Sequence, residues 1–526
     1  MASSQRSNKE DGLKAASPES PAIGAIAWLR WIWRQLTSMR TALLLLLFLA
    51  AAAIPGSLFP QRSADPNGVT TYFQQNAQLA PVLDKLQLFD VYSSAWFSAI
   101  YILLFISLIG CVLPRIMVHY RSLFAPPAAT PSSMKRMPAF ESATLSQKAA
   151  AALLENAEVL LKKKGYRVVR NENSVAAERG YWRETGNLIF HISLVFILIS
   201  VGIGGAYSYS GQRVVVEGET FVNNLAGYDS FSPGIAFNES ALTPFSLRLD
   251  KFTAQYDIRN KQNIGTPLDF RADVTSLLRG QNKAVSSTIR VNEPLELPGA
   301  KVYLTGNGYA PVITVRDGNG DIAFSGPVVF MPQDANMTSI GVIKVPDAKP
   351  EQFGIAAFFY PTVAELKSGA FTSGFPAPIN PLLTMNVYTG DLGLDSGIPS
   401  NVFSLAVHGL KQVAGGKSGV KGIKLEIGQS AKLPNGLGSI TFDSLKHYAS
   451  LDVDYNPTQV WVLVSALSAL FGLMLSLLIP RRRVWVKRTN AGFEVAALAR
   501  GDDPNLILEV REVIEELKPG NQKEPA

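Results

Sequence analysis

Four largely apolar runs set the rhythm of the chain: Thr41–Phe59, Trp96–Leu113, Gly186–Tyr207 and Gln459–Pro480. Each holds about twenty residues, the length a helix needs to cross roughly 30 Å of hydrocarbon. Between the third and fourth runs, residues 208–458, the texture changes. RVVVEGETF, FSLRLDKFTAQYD, LDFRADVTSLL, STIRVN and KVYLTGNGYAPVITVRDGNGDIAFS alternate with Gly, Pro, Asn and Asp. Short strands with turn signals at this spacing predict an all-β domain, a sandwich or barrel. The expected fold is a membrane protein with four transmembrane α-helices and one large extracytoplasmic all-β domain.

The segments around the spans carry weaker patterns. Residues 1–22, rich in Ser, Lys, Glu, Ala and Pro, have a disordered composition. The rest of segment 1–40 interleaves Trp28, Trp31 and Trp33 with Arg30, Arg34 and Arg40, the signature of a helix in the headgroup layer. A signal peptide is the rival for 41–59, but this apolar run is longer than a signal core and reads as an uncleaved anchor. In the short external loop 60–95, Leu79, Val82, Leu83 and Leu86 recur at helical spacing. The second span, 96–113, leads into a cytoplasmic αβ loop, 114–185. There a helix is expected from Ser146 to a C-cap at Gly165, followed by a short strand against NSVAAERGYW. In the fourth span, 459–480, Ser465/Ala469, Ser468/Gly472 and Gly472/Ser476 would let a neighbouring helix approach closely. The cytoplasmic tail, 481–526, reads as a strand and a charged helix.

Charge refines the topology. The net +7 could suggest nucleic acid, but Lys and Arg crowd beside the apolar runs, as membrane orientation requires. Arg481, Arg482 and Arg483 place the C-terminus inside, and the basic N-terminal flank does the same for the other end. The single cysteine, Cys111, excludes an intrachain disulfide, a CxxC redox pair, a four-cysteine zinc site and a CxxCH haem attachment motif. The chain has no GxSxG, no phosphate-binding glycine loop and no evident acid/base pair. DGNGD, Asp317 to Asp321, lacks EF-hand spacing and reads as a hairpin turn.

Four histidines remain as candidate ligands. His191 lies about one turn inside the third span, where an ionisable group is costly and faces a partner, a cavity or a cofactor. Neutral imidazole is a good iron ligand; the bland alternative is a hydrogen bond to a neighbouring helix. Cys111, near the inner end of the second span, is a small buried thiol or a redox or haem ligand. His119, just beyond it, reads as a solvated or headgroup-facing side chain, with a redox or haem role as the alternative. His408 and His447 are the histidines of the β domain, each structural or a ligand.

Four stretches together resemble the ResB family of System II cytochrome c biogenesis proteins. They are SMRTALLLLL…GSLFPQ (Ser38–Gln61), LQLFDVYSSAWF…SLIGCVLPR (Leu86–Arg115), WRETGNLIFHISL (Trp182–Leu194) and TIRVNEPLELPGAKVYL (Thr288–Leu304). HYASLDVDYNP and VWV, either side of the start of the last span, support them. The resemblance implies a non-catalytic or shared subunit of a cytochrome c haem lyase in the bacterial plasma membrane, with both termini cytoplasmic. It implies a CcsA (ResC)-like membrane partner, thiol-reducing proteins of the same pathway, and apocytochrome c as recipient. Haem b would be carried transiently to the outer face and joined to the two cysteines of CxxCH. The partner's tryptophan-rich haem-handling segment has no counterpart here, the seven Trp residues being scattered. His191 is the first candidate for an axial haem ligand; Cys111 and His447 are weaker ones, and no metal other than haem iron is expected. The rival readings are an envelope scaffold that binds no haem and a secondary transporter, the latter disfavoured by the lack of an internal repeat.

Overall fold

The computed structural model describes residues 24–144, 152–259, 262–394 and 404–518. Two compact units divide the chain: residues 1–201 with 460–526, and residues 202–459.

Helices α1 (Ala25–Leu36) and α2 (Met39–Leu58) are separated by a break at Thr37 and Ser38. The Ser38 hydroxyl restarts the helix by accepting from the Thr41 amide at 3.2 Å. Two short helices, α3 (Pro66–Gln75) and α4 (Ala80–Lys85), precede α5 (Ala95–Phe124). Next come α6 (Leu153–Lys163) and α7 (Trp182–Tyr207), then, after the β-rich unit, α8 (Gln459–Leu478) and α9 (Leu506–Leu517). Helices α2, α5, α7 and α8 are long and apolar enough to cross a membrane.

Three features of the first unit go beyond what local pattern shows. Segment 60–95 is more than one amphipathic helix: α3 and α4 close over a buried Phe89, packed by Val69, Ala80, Phe59, Tyr72 and Phe73. Gln61 fastens this cap, its side chain accepting from the Val91 amide and donating to the Leu88 carbonyl, each at 3.0 Å. The second long helix does not stop at Leu113, where the apolar run ends, but continues through Pro114 to Phe124. Tertiary contacts hold the extra turns: His119 meets Thr185, and Arg167 donates to the Leu123 carbonyl. The loop 114–185 and the tail 481–526 are not separate pieces. Their strands interleave in one antiparallel sheet, in the order Ala139–Thr144, Gly492–Ala499, Arg482–Thr489, Ser174–Arg179, Arg167–Arg170.

Helices α6 and α9 cover one face of this sheet, burying Leu154, Ala157 and Leu161 beside Val510, Val513 and Ile514. On the other face Trp485 packs against Met134, Ala176 and Ala496 and donates to the Ala128 carbonyl at 2.9 Å. The predicted strand Arg167–Arg170 pairs with Ser174–Arg179, and Gly165, with φ +79°, lies just beyond α6. The expected helix start at Ser146 lies outside the described residues.

The second unit is rich in antiparallel sheet, as the alternating pattern predicts. Two long strands, Ala300–Arg316 and Gly438–Tyr455, pair along their length and form the spine of a seven-stranded sheet. Their register slips between Leu304 and Gly306 and again between Val312 and Ile313. Such irregularities bend a strand pair and raise its twist, so the two halves serve different cores. One half contributes Val302, Leu304, Leu451 and Val453 to a core shared with Leu247, Phe252, Ala272 and Val274 of a four-stranded sheet. The other contributes Ile313, Val315, Ile440 and Phe442 to a core with Ile343, Ile355, Phe359 and Leu383 of a six-stranded sheet. The DGNGD turn joins Ala300–Arg316 to Ile322–Pro327, with Asp317 accepting from the amides of Asn319 (2.9 Å) and Asp321 (3.1 Å).

Candidate functional site

In the first unit, α7 packs on both α5 and α8. Against α8 the approach is set by Gly186 and Gly472: a Cβ on Gly186 would lie 2.6 Å from the Gly472 carbonyl oxygen, and one on Gly472 would lie 2.6 Å from the Phe190 nitrogen. The small-residue pattern of α8 predicted such a seat; Gly186 is its partner. Against α5 the contact is aliphatic, with Leu108, Cys111 and Val112 buried beside Ile192, Val195 and Leu198. Tyr101 hydroxyl donates to the Leu198 carbonyl of the same interface.

His191 is half-buried on α7, with the Phe190 ring edge-on at 5.1 Å. Its Nδ1 lies 2.7 Å from the Asn187 carbonyl oxygen, one turn back along the helix. A carbonyl can only accept, so Nδ1 carries the hydrogen and the neutral ring keeps its lone pair on Nε2. That is the arrangement of a metal-ligating imidazole whose other nitrogen is held by backbone. Cys111 is buried among aliphatic side chains, and its thiol donates to the Met39 thioether at 3.6 Å. It shares its cluster with Ile192, next to His191 in the chain, but it does not hydrogen-bond the imidazole.

His447 belongs to the other unit, on strand Gly438–Tyr455 opposite Tyr309. Its ring centroid is 4.9 Å from that of Tyr309 and 5.9 Å from that of Phe252. Glu217 receives the His447 amide at 3.2 Å and the Phe252 amide at 2.7 Å, and lies 3.9 Å from the imidazole Nδ1. Burial pushes the Glu217 carboxyl up, but these donors outweigh it and hold the carboxyl below its usual range. His408 is exposed in a turn.

Sequence reasoning undervalued the ends of the spans. His119 is 8 % exposed rather than headgroup-facing, with Nε2 3.0 Å from the Thr185 hydroxyl and Nδ1 3.4 Å from a Glu184 oxygen. Glu184 also takes Arg481, and Arg500 at 2.5 Å. Arg481, read as topology charge, is buried: it donates to Glu178 through Nη2 at 2.6 Å and Nε at 2.8 Å. Arg483 reaches the same Glu178 oxygen at 2.9 Å, and the Tyr181 hydroxyl donates to the other at 3.1 Å. Burial works against ionisation of Glu178, but Arg483 and Arg481 prevail and hold its carboxyl below the usual range. Arg482 turns the other way, to Asp503 at 2.6 Å and to Glu509. The signal available in the sequence was Glu178 and Glu184 flanking WR just before an apolar run, opposite an RRR cluster just after another.

The profile of the ResB-like family matches residues 39–511, spanning every membrane-length helix and the β-rich unit. The chain belongs to the ResB-like family. Among curated proteins, this ResB-like chain is 26% identical over 296 residues to the cytochrome c biogenesis protein CcsB of Microcystis aeruginosa, covering 54% of this chain and 62% of that one. A Synechococcus protein of the same name is 30% identical over 283 residues, covering 52% and 59%. The cytochrome c biogenesis protein ResB of Bacillus subtilis is 26% identical over 293 residues, covering 52% of each chain. The matches thus span between half and about three-fifths of these relatives.

Proposed function

We propose that this ResB-like chain is a haem-delivering subunit of a cytochrome c biogenesis complex, working beside a CcsA-like membrane protein and supplying apocytochrome c. The similarity to proteins named for cytochrome c biogenesis supports the pathway. The observation that carries the role within it is His191: a half-buried imidazole on a membrane-length helix, its Nδ1–H committed to Asn187 and its Nε2 available. Haem here is cargo, and Nε2 would take its iron at one axial position. A single axial imidazole allows release; a second ligand from the partner would make transfer a ligand exchange. Cys111, facing a thioether in an aliphatic packet, serves in this reading as a small packing residue. The β-rich unit would dock the partner or the apocytochrome, with His447 a structural element between its aromatic neighbours.

Charge and strand pairing support an orientation with both termini in the cytoplasm. Strands after the second and fourth spans share one sheet, which requires both segments to lie on one side of the bilayer. Their Lys and Arg content favours the cytoplasm, and the β-rich unit would then stand outside, at the inner membrane of a bacterium.

The test is the absorption spectrum of the chain purified with its partner, compared between wild type and His191→Ala. A Soret band lost in the variant while the complex stays assembled, with cytochrome c maturation sharply reduced at normal abundance, is expected. An unchanged band with normal maturation would assign haem to the partner and leave this chain as a scaffold.

A further inference from the structure

Below His191, on the same side of α7, a cleft of about 510 Å³ opens among α5, α7 and α8. Its walls include Arg115, His119, Arg183, Glu184, Asn187 and Arg500. The volume is in the range of small-molecule pockets, yet the walls are strongly cationic. The one carboxylate among the described wall residues, Glu184, is already engaged at both oxygens, by Arg500 on one and Arg481 on the other. Arg183 gives one nitrogen to the Arg500 carbonyl. Arg115 has no hydrogen-bond or ion-pair partner among the described residues and stands exposed in the wall. A second observation points to a missing ligand: His119, more than nine-tenths buried in the wall, leaves Nδ1 without a hydrogen-bond partner. The nearest Glu184 oxygen, 3.4 Å away, does not meet hydrogen-bond geometry.

We infer that this cleft seats the carboxylates of the tetrapyrrole whose iron His191 takes, with Arg115 and Arg183 as the oxyanion donors; this rests on the haem-delivery reading above. Asn187 ties the two places together, since its carbonyl holds the His191 ring and the residue itself lines the cleft. One helical turn, about 5.4 Å, separates Asn187 from His191 along the axis. A porphyrin carries its two carboxylates on one edge, displaced from the iron in the ring plane. Iron at His191 and carboxylates one to two turns lower therefore suit one molecule. Guanidinium suits carboxylate in geometry and stays charged at every working pH. Anionic lipid phosphate shares the same oxyanion chemistry and is the alternative source that the experiment must separate.

The experiment titrates the full chain, in phosphatidylcholine nanodiscs, with iron protoporphyrin IX and with its dimethyl ester, against empty discs. Wild type should bind the free acid at least about tenfold more tightly than the ester, the value of one charge-assisted hydrogen bond. Arg115→Gln should lose that preference while keeping the His191-dependent Soret band, and Arg115→Lys should keep part of it. Equal affinity of wild type for acid and ester would overturn the proposal while leaving His191 as the iron ligand. A preference that persists unchanged in both Arg115→Gln and Arg183→Gln would also overturn it. If phosphatidylglycerol in the disc abolishes the preference at low mole fraction, the cleft is a lipid-headgroup site instead. A Soret band indifferent to His191→Ala would defeat the haem-delivery reading and this inference together.

Discussion

Replacing Glu178 by Gln should loosen the sheet that joins the loop after α5 to the tail after α8. Glu178 is 3 % exposed and accepts from Arg481 at 2.6 Å and 2.8 Å and from Arg483 at 2.9 Å. Gln keeps the shape but removes the charge facing two guanidinium groups. Losing one partner of a buried ion pair costs about 3–5 kcal/mol. Arg481 retains Glu184, and Arg483 is 38% exposed in its side chain, so the low end, about 3 kcal/mol, is the expected value. At 1.4 kcal/mol per factor of ten, that is about a hundredfold loss of protection. Hydrogen exchange on the full chain would read it in Ser174–Arg179 and Arg482–Thr489, the two strands that pair here. The sign of the pH dependence follows from the depressed carboxyl. The contribution is complete above the ordinary glutamate value, about 4.3, and is lost as pH falls through the lower folded value. The variant should lack this acid-sensitive component. Replacing Glu178, Arg481 and Arg483 together with apolar residues of similar volume should recover part of the loss, because the stranded charges are gone as well. Unchanged protection in both strands of Glu178→Gln would refute the reasoning.

Gly186→Ala gives a test by sign. In an isolated helix the change is favourable by about 1 kcal/mol, but here the new Cβ would sit 2.6 Å from the Gly472 carbonyl oxygen, so a lower unfolding midpoint in detergent is expected, and a rise would contradict the packing. Cys111→Ser should leave cytochrome c maturation near normal, since the thiol touches a thioether and aliphatic side chains; complete loss at normal abundance would give the sulfur a chemical role. Glu217→Ala strands the amides of Phe252 and His447 and should cost about 2 kcal/mol, read as faster exchange in Phe245–Tyr256 and Gly438–Tyr455 with no change elsewhere. Equal exchange in wild type and variant would show that the carboxylate carries no weight there.

By itself the sequence determined what depends on local pattern. Four apolar runs gave four membrane-length helices because length and hydropathy are properties of a contiguous segment. The alternation in 208–458 gave strands where it was strongest, and DGNGD gave its turn through the short reach of Asp317. His191 stood out because an imidazole inside an apolar run is visible without any partner. Only the tertiary structure decided what depends on residues far apart in the chain. The tail strand Arg482–Thr489 slots between Ser174–Arg179 and Gly492–Ala499, a pairing that no periodicity encodes. The same holds for Arg481, which looks like any interfacial arginine until Glu178 closes on it, and for His119, whose burial depends on α7 lying across the end of α5. The two β cores on one long strand pair were hidden for a related reason. Alternation tells which residues face inward, but the slips at Leu304/Gly306 and Val312/Ile313 decide which sheet lies there to meet them. Burial and charge pairing are properties of the space around a side chain, and that space is made by distant parts of the chain.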